Sequence, residues 1–260
     1  MADLVLVDTT DRVRVVTLNR PDARNALDTA LQRAAAEALN AAEADDAVDV
    51  VVLTGADPAF CAGLDLRELG STGDNLKGGG DDPNGNPFAA LWRMAKPVIG
   101  AINGACVTGG FELALACDFL VASERARFGD THARVGVSPG GGMSVFLPAA
   151  VGVRMAKQMS LTGNFVDAPH ARELGLVNEV VPHGELIERA VAIGRDIGGN
   201  DQAAVRNLKR LYDENAKLTV ADAIANEQRV FRSWYVDPAE VERRRAAVVA
   251  RGREQGSKPS

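Results

Sequence analysis

Short apolar runs, each followed by a turn and a helix-type segment, constrain the fold of this chain most strongly. Residues 48–53 and 98–102 have the length and apolar character of buried strands, and helix-type patterns begin near Leu64 and Gly109. An earlier segment, residues 25–45, is alanine-rich and carries its apolar side chains at helical spacing. Strands that alternate with helices in this way indicate an α/β fold.

Composition restricts the possible functions. The 260 residues suit one large domain or a domain with a small appendage, and a hydrophobic content of 46% is ordinary for a globular protein. The net charge of −6 argues against general binding of nucleic acid or of anionic membranes, because both need a broad basic face. No run of about 18 apolar residues is present that could span a membrane.

Cysteine usage and the N-terminal residues predict a cytoplasmic protein. The count of three cysteines is odd and their spacing is not that of a metal site, so we expect reduced thiols at Cys61, Cys106 and Cys117. The first residues lead directly into a strand-type run, without the basic and then apolar segments of a secretory leader.

The remaining segments suggest how the chain is organised. Residues 4–7 and 13–18 predict a β-hairpin. Residues 70–87 lack apolar periodicity and predict a long loop, which either covers a ligand pocket or is a surface insertion. After residue 161 the pattern is helical apart from one strand at 176–181. We predict a core domain at residues 1–195 and a helical region at 196–260, which packs on the core or on another subunit.

A glycine pair, Gly109-Gly110, stands between a predicted strand and a predicted helix. Backbone N–H groups at a helix start are unpaired, and the helix dipole there favours negative charge. Such a position can bind a thioester oxygen as it becomes an enolate. Residues 59–65 form a second start of the same type. Glycine at one turn often serves backbone conformation alone, but two such starts after two strands indicate a paired oxyanion site.

Glu112 is the fourth residue of the helix that begins at Gly109. A carboxylate in the first turn of a helix either faces water, where it interacts with the helix dipole, or is a buried acid/base group. The neighbouring positions, residue 111 and residues 113–116, are all apolar. Apolar residues on both sides favour the buried alternative.

Residues 59–66, 97–118 and 128–142 together resemble the enoyl-CoA hydratase/isomerase (crotonase) family, and similarity at residues 19–27 and 161–182 extends the resemblance over nearly the whole chain. The resemblance implies a spiral of ββα units with a C-terminal helical region that forms trimers or dimers of trimers. It is specific for the superfamily and less so for the reaction, because this fold hosts hydratases, isomerases, hydrolases and decarboxylases.

The resemblance also implies an acyl-CoA thioester bound through its carbonyl oxygen, with oxyanion donors matched at Ala62 and Gly109. Glu112 matches the first of two glutamates that activate a water, which adds at Cβ while a proton is delivered to Cα. Coenzyme A is part of the substrate, so no separate cofactor is expected. The residues expected to bind the substrate or its CoA part are Arg24, Ala26, Cys61, Ala62, Asp65, Leu66, Gly109, Gly110, Pro139 and Gly140.

His132 stands where the resemblance places the second glutamate. Histidine holds or donates a proton near neutral pH, so Glu112 and His132 could form an acid/base pair; alternatively, His132 is a polar pocket residue in a protein that has lost hydration. Asp130 is a third candidate, and in an extended segment residues 130 and 132 point to one face, where only one is expected to reach. Hydration of a 2-enoyl-CoA is the leading prediction. Isomerisation or another reaction of the family, and non-catalytic acyl-CoA binding, are the alternatives.

Two other patterns in the sequence are less informative. Residues 136–140 fit the G-x-S-x-G pattern of serine hydrolases, but Pro139 lacks the N–H that follows the serine, and the downstream histidines, His170 and His183, lie in polar segments. Basic clusters at residues 243–245 and 251–253 either reach the CoA phosphates or form a solvated helix face. No metal-type cluster or dinucleotide fingerprint is present in the sequence.

Overall fold

In the computed structural model, which describes residues 3–76 and 84–256, the chain divides into two compact units, Met1–Lys209 and Arg210–Ser260. The described strands of the first unit form two sheets. They are β1 (Val5–Thr10), β2 (Val13–Leu18), β3 (Val50–Gly55), β4 (Ala59–Cys61), β5 (Val98–Ile102), β6 (Ala105–Val107), β7 (Phe119–Ser123), β8 (Arg127–Gly129), β9 (Val166–Asp167) and β10 (Glu179–Val181).

The described helices follow the strands in a repeating order. They are α1 (Thr29–Ala44), α2 (Leu66–Ser71), α3 (Pro87–Arg93), α4 (Gly109–Leu115), α5 (His132–Val135), α6 (Met143–Val151), α7 (Val153–Thr162), α8 (Ala168–Glu173), α9 (Leu186–Gly198), α10 (Gln202–Asn215), α11 (Val220–Ser233) and α12 (Pro238–Gly256). None of them combines the length and the apolar character that a membrane crossing needs.

Consecutive strand pairs contribute one strand to each sheet. The larger sheet has the order β1-β2-β3-β5-β7-β10, and the smaller has the order β4-β6-β8-β9. The pairs β3/β4, β5/β6 and β7/β8 therefore repeat one arrangement, and a helix follows each pair: α2, α4 and α5. The expected spiral of ββα units is confirmed. Because β4, β6 and β8 are neighbours in the smaller sheet, the helices that follow them begin side by side at the carboxyl ends of these strands.

The central strands β3 and β5 of the larger sheet are buried on both faces, which explains their continuous apolar sequences. In β3, Val51 and Leu53 belong to the main core cluster, whereas Val50 and Val52 pack into a second cluster that includes Leu186 and Ala190 of α9. Parallel strands covered on both faces read as unbroken apolar runs, because neither face tolerates a polar side chain.

Helix α1 begins four residues later than the sequence pattern suggested. Arg24 and Asn25 have φ of 51° and 55°, which interrupts the helical backbone, and Asp28 then caps α1 by accepting a hydrogen bond from the N–H of Leu31. The Asn25 side chain is fully buried and donates to the carbonyl oxygens of Ala56 and Ala59. It therefore fixes the turn that joins β3 to β4.

The expected features at residues 70–87 and after residue 161 are refined. The segment after α2 contains a 3₁₀ turn, Asp74–Leu76, and α3 begins after the cap Asn86; residues 77–83 lie outside the described residues. The strand expected at 176–181 is limited to β10, because the N–H groups of Leu176 and Val177 donate to the carbonyl of Ala171 at the end of α8. The short strand β9 was not predicted.

The second unit consists of the end of α10 together with α11 and α12. Asn226 of α11 donates to Glu214 and Asn215 of α10, which connects these two helices. In α12, Arg244 pairs with Glu240, and Arg245 pairs with Glu242. These ion pairs within one helix fit the solvated-face interpretation of the basic cluster at residues 243–245.

Candidate active site

Two backbone N–H groups lie close together where β4 and β6 lead into their helices. A Cβ built on Gly109 would lie 3.6 Å from the Leu64 nitrogen, and one built on Gly63 would lie 3.4 Å from the Gly109 nitrogen. Within the described part of the chain, neither the Leu64 N–H nor the Gly109 N–H donates to a backbone carbonyl. Gly109 is also the first residue of α4, so the helix dipole adds to the positive potential at this point.

The match of Ala62 to an oxyanion donor is corrected by the structure. The Ala62 N–H donates to the Arg24 carbonyl at 3.0 Å and is therefore not available to a ligand. Leu27 forms a parallel bridge beside Leu64, accepting from Asp65 N–H and donating to the Gly63 carbonyl. Because Gly63 and Asp65 both bond to Leu27 on one side of this segment, the N–H of the intervening Leu64 points to the opposite side and remains available.

The second glycine of the pair serves packing. A Cβ on Gly110 would lie 2.2 Å from the carbonyl oxygen of Cys61, so only glycine allows α4 to approach β4 this closely. Burial raises the pKa of the Cys61 thiol to about 12, which keeps it protonated and unreactive. Gly110 and Cys61, both expected to contact substrate, thus have structural roles in the approach of α4 to β4.

Glu112 lies one turn along α4 from Gly109, and its side chain is only 4% exposed. Its Oε1 accepts hydrogen bonds from the N–H groups of Gly141, at 2.8 Å, and Met143, at 3.2 Å. Burial raises the pKa of Glu112, although the bond from Met143 and the nearby His132 partly oppose this effect. Of the two alternatives for Glu112, the structure supports the buried acid/base group.

His132 faces Glu112 across a short gap. Its Nε2 lies 3.7 Å from Glu112 Oε2, and its side chain is 9% exposed. The other ring nitrogen, Nδ1, lies 2.6 Å from Oδ1 of Asp130. The segment is not extended as expected, because Thr131, the N-cap residue of α5, has φ −105° and ψ 14°; Asp130 therefore lies behind His132 rather than beside it.

Asp130 is held by three donors. Besides His132 Nδ1, the backbone N–H of His132 donates to Oδ1 at 3.1 Å, and the hydroxyl of Ser160 in α7 bonds to the same carboxylate. Burial alone would raise the pKa of Asp130, but the bonds from His132 and Ser160 outweigh burial and lower that pKa. The spacing Asp-x-His was the sequence signal for this pair; Ser160, 28 residues after His132, carried none.

A hydroxyl contact joins the two loops of the site. The Oγ1 atoms of Thr108 and Thr131 lie 2.6 Å apart, and the Thr131 N–H donates to Thr108 Oγ1 at 3.1 Å. Thr108 immediately precedes Gly109, and Thr131 immediately precedes His132. The segments that present the available N–H groups and the imidazole are therefore joined, and α4 presents the buried carboxylate one turn after Gly109; this arrangement suits binding of a carbonyl oxygen near a pair of proton-transferring groups.

A profile of the enoyl-CoA hydratase/isomerase family matches residues 8–247. This chain belongs to that family. A probable peroxisomal enoyl-CoA hydratase of Arabidopsis thaliana is 40% identical over 223 residues, which are 86% of this chain and 83% of the relative. The 2,3-dehydroadipyl-CoA hydratase of Escherichia coli is 35% identical, and the match covers 89% of each protein. The crystal structure of an enoyl-CoA hydratase from Mycobacterium smegmatis has a TM-score of 0.75 at 50% identity, covering 90% of this chain and 98% of that one.

In this enoyl-CoA hydratase/isomerase family member, several residues expected to bind CoA have structural partners. Asp65 caps α2 and pairs with Arg20 at 3.0 Å, and Arg20 also donates to the Ala26 carbonyl at 2.6 Å. Arg20 was missed by the sequence analysis. The exposed members of the set are Arg24, Leu66, Pro139 and Gly140.

A serine, a histidine and an aspartate also meet elsewhere in this family member. His183 Nδ1 lies 3.0 Å from Ser123 Oγ, and His183 Nε2 lies 3.1 Å from Asp57 Oδ2. His183 was expected only to lie in a polar, surface-like segment. In the structure its ring also joins the ends of β7 and β10 to the turn after β3. Ser123 is fully buried and also accepts from the Arg125 N–H, so it is not placed as a nucleophile. Among residues 3–76 and 84–256, no group of three or more His, Cys, Asp or Glu side chains is arranged so that it could hold a metal ion.

Proposed function

We propose that this protein is an enoyl-CoA hydratase that adds water across the 2,3 double bond of a 2-enoyl-CoA. The observation that carries the proposal is the convergence of the available N–H groups of Leu64 and Gly109 with the buried pair Glu112 and His132. Relatives named enoyl-CoA hydratase support the same assignment.

The thioester carbonyl oxygen would lie between the N–H groups of Leu64 and Gly109. As water adds at Cβ, the electron pair of the double bond moves towards this oxygen and forms an enolate. Fixed donors at a helix start stabilise that charge without reorganisation, and a single such donor contributes on the order of 10²- to 10³-fold to the rate. Leu64 thus takes the role that the sequence resemblance assigned to Ala62.

The reacting water would lie between Glu112 Oε2 and His132 Nε2. The 3.7 Å between these atoms exceeds a direct hydrogen bond, and a polar contact of this length suits an arrangement in which both atoms bond to one water. One group removes a proton from the water, and the other supplies a proton to Cα. Both groups are therefore needed in one turnover.

Apolar side chains beside the pair would contact the acyl chain. A Cβ on Gly141 would lie 2.8 Å from the ring of Phe88 and 2.9 Å from Cβ of Glu112, so both side chains pack against Gly141. Phe88 therefore supplies apolar surface in the neighbourhood of Glu112. The CoA part would approach the exposed Arg24, and because CoA arrives with the substrate, the proposal includes no separate cofactor.

The proposal includes self-association as a trimer or a dimer of trimers. In the second unit, large side chains such as Tyr212 and Phe231 are 78% and 80% exposed. Exposed apolar surface of this kind is typical of a subunit interface. Light scattering coupled to size-exclusion chromatography tests this part.

A cytoplasmic, reducing location is also proposed, because the three cysteines are free thiols.

The activity is tested by incubating the protein with short, medium and long 2-enoyl-CoA thioesters in ¹⁸O-labelled water. We expect loss of the conjugated-thioester absorbance and label in a 3-hydroxyacyl-CoA, with Glu112→Gln binding the thioester but not converting it. Movement of the double bond without label would instead assign an isomerase. Binding without turnover of any chain length would assign an acyl-CoA-binding protein.

A further inference from the structure

We propose that Asp130 is a positioning residue that holds one proton on His132 Nδ1 and directs Nε2 at the reacting position, where the doubly protonated ring supplies the proton of Nε2 to Cα while Glu112 accepts the proton of the water. The catalytic half of this statement rests on the hydratase function proposed above. The half that concerns the proton on Nδ1 rests only on the geometry of Asp130, His132 and Glu112.

The short contact behind His132 fixes which ring nitrogen carries a proton. An ionised carboxylate accepts hydrogen bonds and cannot donate them, so the 2.6 Å contact between Asp130 Oδ1 and His132 Nδ1 requires a proton on Nδ1. Asp130 also accepts from the His132 backbone N–H and from Ser160, and these bonds favour its ionised form. Nε2 is then the ring nitrogen that faces the reacting position.

Two buried carboxylates flank the ring of His132. Asp130 lies on one side of the ring and Glu112 on the other, and both side chains are at least 96% buried, as is expected where neighbouring charges act strongly. The basic residue on the same helix, Arg134, bonds to the Thr162 carbonyl and the Asn164 side chain. From α7, the Ser160 hydroxyl reaches Asp130 and not the ring. Nδ1 of His132 therefore faces the carboxylate of Asp130, and Nε2 faces the carboxylate of Glu112.

This arrangement assigns the acid and the base. Glu112, whose Oε1 is held by two backbone N–H groups, accepts a proton from water at Oε2. The water oxygen bonds to Cβ, the electron pair of the double bond forms the enolate, and Nε2–H gives its proton to Cα. Glu112 is then a neutral acid and His132 a neutral imidazole. Transfer of one proton from Glu112 to Nε2, through the next water, restores the starting state, and Asp130 keeps its charge throughout.

The position of the proton is measured directly by long-range ¹H–¹⁵N spectra of the imidazole rings. The chain has three histidines, so single substitutions assign every signal. We expect His132 Nδ1 to be protonated in the wild type at every pH, and Asp130→Asn to move population to the Nε2–H tautomer. A wild-type ring protonated on Nε2 alone, or a tautomer unchanged by Asp130→Asn, would overturn the proposal.

The chain supplies a matched control in Asp57, which contacts His183 in a similar way at 3.1 Å. Asp57→Asn is expected to change the His183 signals and to leave those of His132 unchanged. If Asp130→Asn does not fold, Ser160→Ala provides the second variant, since it removes one bond to Asp130 and is expected to weaken the preference for Nδ1. The wild-type spectrum needs no substitution at all.

Kinetics test the catalytic half. We expect Asp130→Asn to lower kcat on the order of 10²-fold with little change in KM, because a ring in the wrong tautomer transfers protons poorly while the groups that bind the substrate are kept. An unchanged kcat, or a loss of kcat without the tautomer change in the spectra, would contradict this assignment. If the wild type hydrates no enoyl-CoA, the proposed function fails, whereas the spectra still decide the role of Asp130 towards His132.

Discussion

Two aspartate–histidine pairs occur in this protein, and they differ in what lies on the far side of the imidazole. In the pair Asp130–His132, one ring nitrogen contacts the aspartate and the other faces Glu112 across 3.7 Å. In the pair Asp57–His183, both ring nitrogens have protein partners within 3.1 Å, namely Asp57 and Ser123. The same residue types thus form a group able to react in one place and a closed connection in the other.

The aspartate of the closed pair is the more exposed of the two, although a search for reactive groups at the surface would favour the exposed pair. Asp57 is 63% exposed, whereas Asp130 is 2% exposed. The buried pair is the one with an unoccupied nitrogen facing a second titratable group. An available lone pair or proton, rather than accessibility of the pair, is therefore the property that indicates chemistry here.

The largest expected difference between the pairs is kinetic. His132→Gln should lower kcat on the order of 10²- to 10⁴-fold, because a proton-transferring group is lost, while His183→Gln should leave kcat unchanged. Steady-state hydration assays on both variants measure this. His132→Glu should not be more active than His132→Gln, since it would place a third carboxylate beside Asp130 and Glu112. An active His183→Gln together with an active His132→Gln would remove the proposed distinction.

The same distinction between occupied and available groups separates Leu64 from Ala62. Replacing the amide before Leu64 with an ester, by incorporation of the corresponding α-hydroxy acid, removes the N–H and should lower kcat on the order of 10²- to 10³-fold. The equivalent change at Ala62 removes a bond to Arg24 and should affect stability more than kcat. A larger kinetic effect at Ala62 than at Leu64 would reverse the assignment of the donor.

Ser123→Ala tests the closed pair through stability. The substitution leaves His183 Nδ1 and the Arg125 N–H without their partner, and should lower the free energy of unfolding by about 1–3 kcal/mol with kcat unchanged. Urea denaturation measures the first quantity. As a control, Ser160→Ala also removes a hydroxyl bonded to an aspartate, but is expected to change the imidazole signals of His132 and not those of His183. A stable Ser123→Ala variant with altered kinetics would show that the two pairs are not separate in function.

The smallest expected effects are in the pH dependence of stability, and they have opposite signs. The bond from Asn103, followed by that from His183, lowers the pKa of Asp57, so its contribution to the free energy of unfolding is lost as pH falls through the folded-state pKa. Burial raises the pKa of Glu112, so stability instead decreases as pH rises from the unfolded-state pKa towards the folded-state value.

Urea unfolding from about pH 3 to about pH 7 separates these two contributions. Asp57→Asn should reduce the loss of stability at the acidic end. Glu112→Gln should remove the decrease on the way to neutral pH and leave the folded state more stable there, since Gly141 and Met143 retain an acceptor. A neutral-pH loss of stability in Glu112→Gln would contradict the direction given for its pKa.

Local pattern predicted the parts of the fold and site that local sequence controls. The strands β3 and β5, the start of α4 at Gly109 and the burial of Glu112 follow from runs of apolar residues around them. The choice of donor near residue 62 did not follow, because it depends on pairing with Leu27, which lies far away in sequence. The contact of Asp130 with His132 was missed because it needs a bend at Thr131 that no proline or glycine marks.

The contact between the hydroxyls of Thr108 and Thr131 has a consequence for how binding energy is used. It connects the backbone that presents Gly109 to the backbone that presents His132, so the carbonyl site and the proton donor form one preorganised frame. Little conformational entropy then remains to be lost when a ligand arrives. Substitutions on the two loops should consequently be non-additive, and a double-mutant cycle between Thr108 and His132 would report how rigid that frame is.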